Sequence, residues 1–109
     1  MPSGPCGHPP CVLELWQAEW CPFSHRVRQR LTELGLDVVL HQVEPRPEQR
    51  ERLHAATGGR TIPVLVFEDG SVLDADAEDI VAALDERYPE PPHAAEHHER
   101  RTEAQMFEP

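Results

Sequence analysis

A short apolar run, Val12 to Gln17, is followed after a brief connection by Cys21 and Pro22. Then come Phe23, Val27, Leu31 and Leu34 at helical spacing. That succession is a strand delivering a thiol to the first turn of a helix. Pro22 suits the first helical position, because the N–H it lacks has no partner there anyway. The free N–H groups and positive dipole end of a helix favour a thiolate, whose thiol otherwise ionises near about 8.5. Cys21 therefore reads as a reactive thiol or, more blandly, as a small buried apolar residue before a helix. Phe23, two positions on, suits either the core or the lip of a site.

The rest of the chain follows in a regular order. Gly35 stops the first helix, and Val38 to Val43 reads as a second strand, buried on both faces. Pro45 and Pro47 break it. Glu48 to Thr57 is a polar surface helix with Leu53 as its main apolar anchor, ended by Gly58-Gly59. Thr61 to Phe67 is a third strand with Pro63 near its start, where a proline is tolerated. Glu68-Asp69-Gly70-Ser71 signals a hairpin turn into a short strand, Val72-Leu73. Asp74 or Asp76 caps a last helix that carries Ala77, Ile80, Val81 and Leu84 and closes at Tyr88-Pro89. The order βαβαββα predicts an α/β fold, a mixed four-stranded sheet flanked by helices, with a right-handed parallel opening and an antiparallel close. The thiol falls at the carboxyl end of strand one, where open α/β sheets bind ligands.

The expected division is an N-terminal tail over 1–11, one domain over 12–89, and a charged, flexible tail over 90–109. The first tail is rich in proline and glycine and holds Cys6, His8 and Cys11, too few ligands for a structural zinc site. In the second, His93 and His97 are spaced to share a helix face, and a solvated tail is the reading preferred to a metal contact.

Among 109 residues, 20 are acidic and 10 basic, all ten arginine, for a net charge of −10. That balance argues against nucleic acid or an anionic membrane surface as partner. No apolar run is long enough to span a bilayer, and the first residues lack the pattern of a signal peptide. Three cysteines, an odd count, point to free thiols in a reducing compartment, the cytoplasm.

Three separated motifs carry a resemblance. Cys21-Pro22-Phe23-Ser24-His25-Arg26-Val27-Arg28, Thr61-Ile62-Pro63 and Leu84-Asp85-Glu86-Arg87-Tyr88-Pro89, in that order, resemble the glutaredoxin-like N-terminal domain of glutathione transferases. The nearest types are omega and dehydroascorbate reductase, which use a cysteine. The resemblance covers about residues 12–89. It implies a thioredoxin-like fold and a glutathione site, with Cys21 as nucleophile, Phe23 beside the bound thiol and Pro63 as a cis proline. It also implies that Arg46 meets the glycine carboxylate, that Ile62 offers its backbone to the cysteinyl part, and that Asp76 and Ala77 stand at the γ-glutamyl end.

Departures accompany it. Ala77 lacks the serine hydroxyl of the family, and Ala18 stands where many glutaredoxins have a lysine. The sequence stops near the point where transferases begin a second, helical domain, so thiol–disulfide chemistry is expected rather than conjugation. The leading expectation is a small oxidoreductase using glutathione or an equivalent low-molecular-weight thiol through Cys21 alone, acting on small-molecule disulfides or protein mixed disulfides. The alternative is a non-catalytic module that binds glutathione or a protein, or carries an iron–sulfur cluster.

Overall fold

In the computed structural model, the described residues are 12–106. The elements are β1 (Leu13–Gln17), α1 (Pro22–Glu33), β2 (Val38–Gln42), α2 (Glu51–Thr57), β3 (Val64–Val66), β4 (Val72–Leu73), α3 (Ala77–Arg87) and α4 (Ala94–Met106). A single 3-10 turn, Pro47–Gln49, precedes α2. The tail expected over 1–11, with Cys6, His8 and Cys11, lies outside the described residues.

The sheet runs β2-β1-β3-β4, with β1 and β2 parallel and the other two pairs antiparallel. It is the mixed four-stranded sheet expected from the order of strands and helices. Alternation along β1 decides what covers each face. Leu13 and Leu15 join Val27, Leu31, Leu34, Leu65, Phe67, Ile80 and Leu84 beneath α1 and α3. Trp16 turns the other way and packs with Leu53 and Val64 beneath α2. Leu53 is the one buried residue within α2, so that helix is anchored largely by a single side chain.

Strand β2 corrects the expectation of burial on both faces. It is an edge strand, and Leu40 remains 40% exposed. Its continuous apolar run satisfies the strand pattern but has only a partial cover. On the face of β1 and β2 that α2 lies on, the His41 ring stacks on Trp16 at 4.3 Å between centroids and its Nε2 lies 2.7 Å from Glu14 Oε1.

The stretch expected as a charged tail instead contains α4, packed against α1. No apolar stripe betrays it, because its docking is mostly polar. Ala94 is buried, and His98 Nδ1 lies 2.9 Å from Oε2 of the buried Glu33. Glu33 also accepts from Gln29 Nε2 at 2.9 Å and Arg30 NH1 at 2.8 Å. Arg30 in turn reaches Asp85 of α3 at 2.8 Å and Glu90, before α4, at 3.0 Å. One buried carboxylate and one arginine thus join α1, α3 and α4. Among the described residues no helix is long and apolar enough to cross a membrane.

Candidate active site

Cys21 is the N-cap of α1. Its φ of −82° and ψ of 117° are extended, and its N–H donates to Ala18 O at 3.1 Å, closing a turn off the end of β1. The same residue therefore ends the connection and opens the helix. Its sulfur accepts the Ser24 N–H at 3.4 Å, the bond a capping oxygen usually makes. Burial opposes ionisation and is the largest single influence on this thiol. The Ser24 hydroxyl, the N–H groups of Ser24 and Phe23, and the charge of Arg28 outweigh it together, holding Cys21 below the usual thiol value.

Two of those groups have a further significance. Ser24 is fully buried and its hydroxyl has no hydrogen-bond partner among the described residues, so its proton is free to turn toward an ionised sulfur. Arg28 lies two helical turns on from Cys21. It is held by Gln17, whose Oε1 accepts from it, and by Glu19 at 3.3 Å. The chain has no lysine, and Arg28 contributes positive charge that favours the thiolate. The sequence reading missed it, although its seven-residue spacing from Cys21 on a helix was a usable signal.

Trp20 and Phe23 are 64% and 61% exposed, so the thiol lies between two uncovered aromatic rings in the chain. Phe23 is therefore a lip and not part of the core. Pro22, Phe23 and Arg26 of α1 form a cleft with Asp76, Ala77 and Glu78 at the start of α3. Arg26 Nε and Glu78 Oε2 close one side of it at 3.1 Å. Asp76 caps α3, Oδ1 accepting from Asp79 N at 2.9 Å, while Ala77 is buried in the core. A second depression between α1, α3 and α4 is lined by His25, Gln29, Arg30, Glu33, Asp85 and His98. Most of its charged groups pair with one another, and Cys21, only 6% exposed, lines neither depression.

The Ile62–Pro63 peptide bond is cis, as the resemblance implies, and Pro63 is buried. Because Trp16 pairs with Val64 in antiparallel register, Pro63 falls beside the carboxyl end of β1, the end from which the chain leads to Cys21. Arg46 is exposed on the loop after β2, and its side chain has no hydrogen bond or ion pair among the described residues. The structure thus brings Phe23, Asp76 and Ala77 into one cleft. It places Ile62, Pro63 and Arg46 on loops outside that cleft's lining.

Residues 20–87 match the family described as glutathione S-transferase, N-terminal domain. The chain belongs to that family. Solved structures agree with the fold. Glutathione transferase Omega 3C from Trametes versicolor superposes with a TM-score of 0.64 at 20% identity, over 77% of this chain and 35% of its own. Glutaredoxin 2 from Salmonella typhimurium, solved in complex with glutathione, gives 0.62 at 21%, over 73% and 35%. A glutathione S-transferase from Methylobacillus flagellatus KT with GSH bound gives 0.55 at 33%, over 71% and 37%. The chain therefore spans little more than a third of the length of these proteins. What the likeness establishes is the thioredoxin-like fold.

Proposed function

We propose that this domain is a glutathione-dependent thiol–disulfide oxidoreductase working through Cys21 alone, in a reducing compartment such as the cytoplasm. The observation that carries the reading is the sulfur of Cys21 at the N-cap of α1, with its ionisation favoured by Ser24, Phe23 and Arg28. An equivalent low-molecular-weight thiol would serve the same chemistry.

In the proposed cycle the Cys21 thiolate attacks the glutathionyl sulfur of a mixed disulfide. A Cys21–glutathione disulfide forms, and the other sulfur leaves as a thiolate that takes a proton from water. The thiolate of a free glutathione then attacks the glutathionyl sulfur on Cys21. Glutathione disulfide leaves and Cys21 is restored as thiolate. Ser24 has no sulfur, so no second thiol within the motif can resolve the intermediate.

The residues fit such a substrate at three points. Arg46 has an exposed guanidinium, unpaired among the described residues and suited to a carboxylate. Ile62 has the backbone position that the family uses for the cysteinyl part. Asp76, with Oδ1 already capping α3, is suited to the γ-glutamyl ammonium. Ala77 contributes only its backbone, so the γ-glutamyl end is held with one hydroxyl fewer than in the family pattern.

The test is turnover of a glutathionylated peptide with glutathione as reductant, run beside conjugation of chlorodinitrobenzene. The reading expects reduction by the wild type and none by Cys21→Ser. Reduction that survives Cys21→Ser, or conjugation without reduction, contradicts it.

A further inference from the structure

Arg50 is only 4% exposed, and no carboxylate pairs with it among the described residues. Its three nitrogens donate instead to three backbone carbonyls. Nε reaches Glu44 O at 2.8 Å, NH2 reaches Pro45 O at 3.0 Å and NH1 reaches Arg60 O at 2.8 Å. A buried cation is costly unless its donors are satisfied, and a position that only needed filling would take an apolar residue. The planar guanidinium fork is what allows one side chain to bond three separate carbonyls; an ammonium cannot span them.

The carbonyls belong to two segments far apart in sequence. Glu44 and Pro45 lead directly into Arg46, while Arg60 leads through Thr61 into Ile62 and Pro63. A reciprocal tie runs the other way, from Arg60 NH1 to Pro47 O at 3.3 Å and Glu48 O at 3.4 Å. From the opposite side, Thr61 Oγ1 lies 3.4 Å from Asp74 Oδ1. Arg50 is therefore the buried member of a set of bonds that fixes one loop against the other.

We infer that Arg50 is a positioning residue, which sets the Arg46 loop at a fixed spacing from the Arg60–Ile62 segment so that one thiol peptide meets both. The inference rests on the glutathione reading of the site. Arg46 is the contact for the C-terminal carboxylate and Ile62 that for the peptide backbone, two points on a short, flexible ligand. If the loops move independently, the ligand loses the advantage of meeting both at once. Cys21 itself is held by the start of α1 and takes no part in this arrangement.

The test compares wild type with Arg50→Lys, which keeps the charge but not the fork. Amide hydrogen exchange, KM for glutathione and the pH profile of Cys21 alkylation are the readouts. The expected result is faster exchange at residues 44–46 and 60–62 together, and a KM for glutathione raised about tenfold. The alkylation profile should not move. An unchanged KM overturns the inference, as does exchange that rises in only one segment or an alkylation profile that shifts with the KM. Should Arg50→Lys fail to fold, the wild type alone decides. Added glutathione is expected to slow exchange in both segments by the same factor, and slowing in one alone overturns the inference. A wild type with no glutathione-dependent turnover contradicts the proposed function and this inference with it. Normal turnover with an unaltered Arg50→Lys contradicts only the inference.

Discussion

The backbone N–H of Ser24 points at the sulfur of Cys21 across 3.4 Å, while the hydroxyl of the same serine is buried with no partner among the described residues. The first bond belongs to the backbone and survives mutation; the second donor does not. Ser24→Ala should therefore raise the alkylation midpoint of Cys21, toward that of an unperturbed thiol. While the thiol is protonated the hydroxyl has no partner among the described residues, so removing it should leave the melting temperature measured at low pH unchanged or higher. A lower melting temperature with an unmoved midpoint would show that the hydroxyl serves packing instead.

Ser24→Cys places a second thiol one helical turn from the first. Mild oxidation should give an intramolecular disulfide between Cys21 and the introduced thiol, because a low-pKa thiolate attacks readily and the α1 start holds the pair close. Non-reducing mass analysis checks it. Absence of the bond would mean that the first turn of α1 is not arranged as described.

Arg46→Ala should weaken glutathione about tenfold while leaving kcat and the Cys21 alkylation profile unchanged, since a charge-assisted bond to a carboxylate is lost. The wild-type affinity should also fall with added salt, and the variant's less so, because Arg46 is exposed. Equal salt dependence in the two proteins would remove Arg46 from the site.

Glu33 gives a pH prediction. Burial raises its carboxyl, but Gln29, His98 and Arg30 together prevail and hold it down at about 2, below the ordinary 4.5. A depressed acid contributes stability that is present above its ordinary value and lost as pH falls through the lowered one. The unfolding free energy should therefore decline between about pH 4.5 and 2, and Glu33→Gln should flatten that decline. At pH 7 the variant should be less stable by about 1–3 kcal/mol, because the amide carries no charge for Arg30 and His98 and offers one acceptor oxygen where the carboxylate offered two. Denaturant melts at several pH values measure both.

What could be read from the sequence follows from which forces leave a pattern. Periodicity in β1, α1 and α3 records apolar burial, so those elements, and the thiol between two of them, were legible. Helix α4 was not, because Glu33 and His98 meet across 65 positions with no stripe to mark them. Arg50 left no signal for a similar reason. Its partners are backbone carbonyls, whose placement depends on the loops and not on the residues that carry them. Phe23 stayed ambiguous because one apolar residue at a helix start suits lip and core equally; only its exposure decides.

The central claim is that Cys21 is the activated nucleophile, and the most direct measurement is the site of glutathionylation. The wild-type protein is exposed to glutathione disulfide at pH 6, quenched early and mapped by peptide mass spectrometry. One glutathionyl group is expected on the Cys21 peptide, removed by fresh glutathione. A first adduct on Cys6 or Cys11, with Cys21 unmodified, would contradict it.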